Sequence, residues 1–228
     1  MLRNVRAAIA LAAVLLILFI FWKFLNNGQP TAAFDSKAFR PDKKVTISVY
    51  YETLCPDSIR FVRDQLWPTF NQLKSIIKID LIPYGKASYH RDGDTWGFTC
   101  QHGPSECKGN KLQACAIKLY KDIELTMPFV YCVMTNPNPP DSGESCSKQN
   151  GLVWSRLSKC LGGTEGNNYL HEMGVRTEIL DPRLVFVPWI NINGNHTDKI
   201  QEDALKNLKR EVCQFYKGSK KPSACDEK

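Results

Sequence analysis

The residue best placed to do chemistry is Cys55, which stands where a predicted strand meets a predicted helix. Alternating apolar and small or polar side chains over 44–51 predict the strand, and Pro56 then opens a helical run. Backbone N–H groups and the dipole at the start of a helix favour negative charge, so they would stabilise a thiolate. Because the thiolate is the nucleophilic form of cysteine, Cys55 is a candidate catalytic nucleophile.

The segment Cys55-Pro56-Asp57-Ser58 has a serine where a dithiol redox site has its second cysteine. A serine oxygen cannot close an internal disulfide, so an external thiol or a substrate thiol would have to release any mixed disulfide on Cys55. Ser58 could instead donate a hydrogen bond to the Cys55 thiolate. Cys55 also has a simpler interpretation, as a buried cysteine or one that pairs between chains.

The elements around Cys55 predict a strand–helix–strand unit. Apolar side chains recur every three or four residues over 56–75, which is the stripe of an amphipathic helix, and Pro68 is expected to kink or split that helix. A second alternating strand follows at 77–83. Two strands joined by a helix within so short a stretch predict a right-handed crossover with the strands parallel.

Residues 84–183 form a less regular region that we interpret as an insertion, because it holds six of the cysteines. The expected elements of the insertion and of the chain after it are helices at 106–125 and 151–160, a loop at 136–143, a strand at 184–193 that ends in an Asn193-Gly194 hairpin turn, and a last helix at 200–215.

Composition predicts one globular domain, 34–228, behind a short appendage, 1–33. The chain has 228 residues, of which 43% are hydrophobic. Its formal charge is +7, but three of the basic residues lie in the appendage, before the first acid. The remaining excess of positive charge is too small to indicate a nucleic-acid partner.

The appendage contains an uncharged apolar run at 7–22, preceded by two arginines, which is typical of an export signal. As a helix the run would cover about 24 Å, less than the roughly 30 Å hydrocarbon core, but Lys23 could snorkel and extend the span to residue 25. A small-residue motif at 31–33 offers a cleavage site. The segment is therefore either a cleaved signal peptide or a membrane anchor over 7–25. The distance between the apolar run and the cleavage motif favours the anchor. In both cases the domain lies in the lumen or outside the cell.

An exported chain with nine cysteines predicts a disulfide framework, because thiols meet an oxidising environment along the secretory route. If Cys55 is the unpaired thiol, the other eight form four disulfides among about 105 possible connectivities. Asn195 begins the Asn-His-Thr glycosylation sequon. The disulfide candidates are Cys100, Cys107, Cys115, Cys132, Cys146, Cys160, Cys213 and Cys225.

The order of these parts, with a late Val187-Pro188 before the last helix, resembles a thioredoxin-like domain. In that fold the corresponding proline is cis and lies against the active-site cysteine, where the backbone before it pairs with an extended substrate. The resemblance therefore implies a cis Val187–Pro188 bond and a substrate-binding role for both residues. The expected fold class is α/β, a thioredoxin-like core with an inserted, cysteine-rich helical region.

The segment 100–115 resembles the signature of the gamma-interferon-inducible lysosomal thiol reductase family. The matching residues are Cys100, Gln101, His102, Gly103, Glu106, Cys107, Asn110 and Cys115. This resemblance implies a thiol–disulfide oxidoreductase that reduces disulfide-bonded proteins in an acidic endosomal or lysosomal lumen or outside the cell. It implies a small-thiol reductant as a partner and no metal or organic cofactor. Ser58 departs from the two-cysteine pattern of the best-known members, which leaves release of the mixed disulfide to an external thiol.

Several alternatives remain open from the residues alone. Cys100, His102, Cys107 and Cys115 could form a zinc site, although their spacing and an oxidising compartment favour structural disulfides. His102 could polarise a thiol, or it could be fixed by hydrogen bonds within a disulfide-bound loop. The serine at position 58 also allows a different class of function, a catalytically inactive module that keeps the scaffold for binding other proteins.

Overall fold

A computed structural model of the chain describes residues 16–19, 21–23 and 44–226. Contacts divide the chain into two units, Met1–Pro41 and Asp42–Lys228. The described residues of the first unit are helical. Most of the predicted anchor and the whole of the cleavage motif lie outside the described residues. Within the described ranges, no helix combines the length and the apolar character needed to cross a membrane.

The second unit is built on a three-stranded sheet in which 45–51 is the central strand, between 77–83 and 189–192. Strand β1 (Val45–Tyr51) is almost entirely buried and pairs in parallel with β2 (Ile77–Pro83), which confirms the predicted parallel pair. Strand β5 (Trp189–Ile192) pairs antiparallel with the other edge of β1. The predicted strand at 184–193 was too long, because Pro188 has no N–H with which to continue the ladder.

The connection from β1 to β2 is one helical stretch with a widened middle. Helix α1 (Pro56–Phe61) continues into a π-helical turn (Val62–Leu66) and then into α2 (Trp67–Leu73). Pro68 lies in the first turn of α2, where it supplies no N–H and would clash with the carbonyl four residues earlier in a regular α-helix. The π turn directly before Pro68 accommodates that clash, so the proline widens the helix instead of ending it.

The region after β2 contains more regular structure than the sequence predicted. The predicted helix at 106–125 is two helices, because Lys121 adopts a left-handed backbone with φ 53° and the Asp122 side chain caps the next helix. A β-hairpin over 88–99 and the helix α7 (Thr164–Glu178) were not predicted at all. The elements are β3 (Ser88–Asp92), β4 (Thr95–Thr99), α3 (Pro104–Tyr120), α4 (Ile123–Thr135), a 3-10 turn (Pro139–Asp141), α5 (Gly143–Gln149), α6 (Trp154–Gly162) and α7 (Thr164–Glu178).

The inserted helices α3 to α6 share a hydrophobic core with the sheet, and α7 packs in a second apolar cluster on β1 and β2. Leu112 of α3 and Phe129 of α4 are fully buried and belong to the same cluster as Val49 of β1 and Val62 of the π turn. Burial of a side chain of this size stabilises the fold by about 1.5–3 kcal/mol. The insertion is therefore part of the packed domain and holds α3 firmly against the end of β1.

Eight cysteines form four disulfides, and Cys55 is the free cysteine of the described chain. One bond joins α3 to α6, a second joins α4 to α5, a third closes the start of α3, and the fourth ties the C-terminal 3-10 turn (Ser223–Cys225) to the preceding helix. The pairs are Cys115–Cys160, Cys132–Cys146, Cys100–Cys107 and Cys213–Cys225.

The chain after β5 turns tightly and ends in a long helix. Asn193 and Gly194 both have positive φ, 53° and 81°, which is the geometry that their residue types favour in a two-residue turn. The predicted hairpin is reduced to a single bridge between Ile192 and Asn195. Helix α8 (Asp198–Phe215) follows and is kinked at Asn207.

Glu211, near the end of α8, gives the fold a predictable pH dependence. Its side chain is buried, and Oε2 lacks a hydrogen-bond partner among the described residues. Burial raises the pKa of this carboxyl above 4.5, and the Asp203 charge adds to the rise, while Lys199 and Arg210 act in the opposite direction. A raised folded-state pKa contributes stability that is complete below pH 4.5 and is lost as the pH rises through that pKa.

We therefore expect Glu211→Gln, which buries no charge, to unfold at a higher temperature than the wild type at about pH 7 and at a similar temperature near pH 4. Thermal unfolding at the two pH values measures the effect. Glu202→Gln, at an exposed position of the same helix, is the matched control and should bring no gain. A Glu211→Gln protein less stable than the wild type at pH 7 would contradict the prediction.

Candidate active site

Cys55 lies at the junction of β1 and α1, next to the cis proline. It is the N-cap of α1, with an extended backbone (φ −68°, ψ 120°), and Pro56 occupies the first helical position. The residue is only 7% exposed, and Sγ lies 3.8 Å from the Val187 carbonyl oxygen, to which the thiol donates. The Val187–Pro188 bond is cis, as the fold resemblance implied. The fold thus brings together a nucleophile candidate and a proposed substrate-binding segment that are far apart in sequence.

Ser58 lies one turn into α1 and is fully buried. Its Oγ accepts a hydrogen bond from the Glu52 N–H at 3.4 Å. This contact ties the helix to the segment before Cys55. The hydroxyl proton of an accepting serine remains free to donate elsewhere, so the hydrogen bond from Ser58 to a Cys55 thiolate stays a prediction.

The signature segment forms the start of α3 and holds the backbone just before Cys55. The Cys100–Cys107 disulfide closes the turn, in which Gly103 has a φ of 82°. Glu106, at the first turn of α3, is fully buried, and its two carboxylate oxygens accept from the His102 N–H at 3.0 Å and the Leu54 N–H at 3.3 Å. Glu106 therefore connects the signature turn to the residue that precedes Cys55. Gln101 is exposed.

One turn further along α3, Asn110 holds Thr53 in the same manner. Its Oδ1 accepts from both the N–H of Thr53 at 2.9 Å and the hydroxyl of Thr53 at 2.6 Å. Gln113 donates to the Thr53 hydroxyl oxygen and accepts from the Tyr51 hydroxyl. At Gly109 a β-carbon would lie 2.4 Å from Thr53 Cγ2, so glycine lets the helix approach this closely. These contacts make α3 a clamp on the backbone that presents Cys55.

Glu52 is a functional candidate that the sequence analysis missed. The side chain is fully buried, with Oε1 accepting from the Lys86 N–H at 2.7 Å and Oε2 lying 3.5 Å from His102 Nδ1. Burial raises the pKa of this carboxyl, and the Glu106 charge adds to the rise, while the Lys86 N–H lowers it. The available signal was an acid directly after a buried strand. The Glu52 side chain has room because Gly85 lacks a β-carbon, which would lie 2.2 Å from Glu52 Cγ.

The zinc site considered for the signature segment is wrong. Cys100 and Cys107 bond to each other, and Cys115 bonds to Cys160, so none of the three sulfurs is a free thiolate. His102 is instead held by hydrogen bonds, with Nδ1 2.6 Å from Glu106 Oε2. The cysteines of the signature are structural, and Glu106 and Asn110 position the backbone before Cys55.

A groove of about 440 Å³ runs beside α1 and the cis proline. Gln201 of α8 supports its floor by donating to the Pro188 carbonyl and accepting from the Ile190 N–H. The groove could take an extended polypeptide, since its wall combines apolar side chains with a few charges. The lining residues are Asp57, Arg60, Phe61, Asp64, Gln65, Phe186, Val187, Pro188, Gln201 and Leu205.

Asn195 follows β5 in the sequence, whereas the cis proline precedes it. Asn195 lies in the turn before α8 and is exposed. The third residue of its sequon, Thr197, caps α8 by accepting from the Ile200 N–H at 3.1 Å. An exposed position in a turn is suitable for a glycan, and glycosylation there stays a prediction.

Comparison with known proteins identifies relatives whose descriptions agree with one another. Residues 46–150 match the family model described as gamma interferon inducible lysosomal thiol reductase. A protein of that name from Carassius auratus is 38% identical over 80% of this chain and 72% of its own length. The GILT-like protein 1 of Drosophila melanogaster is 36% identical over 81% of this chain and 79% of its own length. The lysosomal thiol reductase of Mus musculus is 33% identical over 81% of this chain and 73% of its own length.

Solved structures show the same core at much lower sequence identity. DsbA of Chlamydia trachomatis superposes with a TM-score of 0.52 and 13% identity, covering 76% of this chain and 92% of its own. Reduced DsbA of Mycobacterium tuberculosis gives a TM-score of 0.50 and 14% identity, and the superposition covers 80% of this chain and 88% of that one. At this level of identity the similarity establishes the thioredoxin-like fold.

Proposed function

Because the chain belongs to the gamma interferon inducible lysosomal thiol reductase family, a family of thiol–disulfide oxidoreductases, we propose that it reduces disulfide bonds in proteins with Cys55 as its single nucleophile. The observation that carries the proposal is the free Cys55 at a helix start, with Sγ 3.8 Å from the Val187 carbonyl beside a cis proline. A substrate strand that pairs with the Val187 backbone would bring its disulfide to this sulfur.

The proposed reaction proceeds through thiol–disulfide exchange. The Cys55 thiolate attacks one sulfur of the substrate disulfide, the substrate S–S bond breaks, and the departing sulfur takes up a proton. A small thiol then attacks the Cys55 sulfur, which frees the second substrate thiol and leaves the small thiol bonded to Cys55. A second small thiol restores the Cys55 thiolate, so two thiols are oxidised to one disulfide for each substrate disulfide that is reduced.

The groove beside Cys55 supports a polypeptide as the substrate. Phe186 and Leu205 offer apolar surface at its wall and are partly exposed, while Asp57 and Arg60 form an exposed ion pair at its edge. Such a wall can accept an extended segment of an unfolded protein with apolar side chains next to the cysteine.

We place this activity in an acidic endosomal or lysosomal lumen or outside the cell, with residues 1–33 as signal or anchor.

Ser58 favours one alternative, a protein-binding module without turnover. With a buried serine at the position of the resolving thiol, a chain that lacked an external reductant would remain bonded to its substrate. The alternative keeps the groove and the clamp on Cys55 but removes catalysis.

The dependence of turnover on an external thiol separates the two functions. We expect the purified full-length protein at pH 5 to reduce a disulfide-linked protein at a rate that rises with the concentration of free cysteine. In Ser58→Cys an intramolecular thiol releases the substrate, so turnover should increase and the released enzyme should contain a disulfide between Cys55 and the introduced thiol before reduction. Gel electrophoresis of alkylated samples measures both. If the wild type fails at every cysteine concentration while Ser58→Cys turns over, the protein is a binding module.

A further inference from the structure

Glu52, His102 and Glu106 converge next to the Cys55 loop in an arrangement that disulfide exchange does not require. One potential metal-ligand atom from each residue lies within 4.8 Å of the other two. His102 Nδ1 is 2.6 Å from Glu106 Oε2 and 3.5 Å from Glu52 Oε2. The two carboxylates are fully buried, whereas the His102 side chain is 33% exposed. The cluster thus has a buried floor of two carboxyl groups and one side open to solvent.

The carboxylates are held so that each directs one oxygen into the cluster. The Lys86 N–H binds Glu52 Oε1, and the His102 N–H binds Glu106 Oε1. This leaves the two Oε2 atoms facing His102 Nδ1. Backbone donors that fix the outer atoms of ligands are typical of built metal sites, where they set ligand orientation.

Glu52 Oε2 is an independent observation that favours a cation at this position. It is buried and has no hydrogen-bond partner among the described residues. An ionised carboxylate oxygen left without a partner in the interior is costly, and a cation would remove that cost. His102 approaches this atom only at 3.5 Å, which is at the limit of a hydrogen bond.

We propose that Glu52, His102 and Glu106 form a binding site for a divalent transition metal ion of the zinc class. Two carboxylate oxygens and one imidazole nitrogen are a ligand set that suits such ions, and the solvent-facing side leaves a fourth position for water. Tetrahedral ligands at zinc distances lie about 3.3 Å apart, so the 3.5 Å pair already fits and the 2.6 Å pair must open by about 0.7 Å. Glu106 Oε2 also accepts from the Leu54 N–H, which couples the site to the residue before Cys55.

Zinc binding to the purified full-length Cys55→Ser protein tests this site without a contribution from the active-site thiol or from activity. We expect one equivalent of Zn²⁺ per chain at pH 7.4 in a competition titration against a chromophoric chelator. Glu52→Gln and His102→Ala, each made in the same background, should weaken binding at least about tenfold. His90→Ala changes an exposed histidine on β3 and is the matched control, with binding unchanged.

Two measurements make the result decisive. His102 is partly exposed, so His102→Ala should melt near the parent protein without zinc yet lose the rise in melting temperature that zinc brings to the parent. Millimolar Ca²⁺ or Mg²⁺ should not displace Zn²⁺, because an imidazole ligand disfavours these hard cations. Absence of stoichiometric zinc binding, binding that survives His102→Ala, or displacement by Ca²⁺ would each overturn the proposal, whatever the outcome of the reductase assay.

Discussion

Cys55→Ala should reduce the disulfide-exchange rate of the protein to the uncatalysed rate of the small thiol. Every other cysteine is held in a disulfide, so no second thiol in the described chain can replace the lost nucleophile. The assay is reduction of a disulfide-linked protein at pH 5 with excess free cysteine. The same variant should take up no iodoacetamide under native conditions, whereas the wild type takes up one equivalent.

The control for Cys55→Ala must preserve the thiol and perturb its surroundings. Ser58→Ala does so, because it removes only the hydroxyl that accepts from the Glu52 N–H, and it should retain measurable turnover. Thermal unfolding of both variants checks that loss of activity is not loss of folding. Turnover by Cys55→Ala at the wild-type rate would show that Cys55 is a structural cysteine and that the proposed mechanism is wrong.

Asn110→Ala should lower both the stability of the domain and the rate of disulfide exchange. The side chain accepts two hydrogen bonds from Thr53, and all three groups are buried. Each of the two buried donors left without a partner costs about 1–3 kcal/mol, so the free energy of unfolding should fall by about 2–6 kcal/mol. Turnover should fall as well, because Thr53 is two residues before Cys55 and a displaced loop moves the sulfur relative to Val187.

Urea denaturation and the pH 5 assay measure the two effects of Asn110→Ala. Asn71→Ala is the matched control, since Asn71 is exposed and its amide donates to the Trp67 carbonyl within the same helical stretch. A surface change of this kind shifts the free energy of unfolding by about 0.5 kcal/mol or less. If Asn110→Ala cost no more than Asn71→Ala, the clamp of α3 on the Cys55 loop would not exist.

The elements next to Cys55 were predictable because they depend on short-range patterns. Alternation of side chains defined β1 and β2 almost to the residue, and a stripe at helical spacing defined the connection between them. Pro56 placed the start of α1. These signals involve residues within one or two turns of each other, so they do not depend on how the rest of the chain folds.

The insertion was harder to predict for a physical reason that Lys121 illustrates. A left-handed residue there splits one apolar helical run into α3 and α4, and lysine carries no local signal for positive φ. In the hairpin, β3 is largely exposed and β4 is mostly half-buried, so neither strand shows the alternation that marks a strand with one buried face. In both cases packing against neighbouring elements outweighs the weak local preference.

The amino-acid pattern alone established the thioredoxin-like order of parts, the single cysteine at a helix start and the family signature. The tertiary structure was needed for the disulfide pairs, because eight chemically equivalent thiols differ only in which sulfurs folding brings together. It was also needed to show that Glu106 and Asn110 hold the loop before Cys55, and that Glu52 joins His102 across 50 residues of chain. Hydrogen bonds and disulfides act over a few ångströms, and distances between residues so far apart in sequence are set by the packed core.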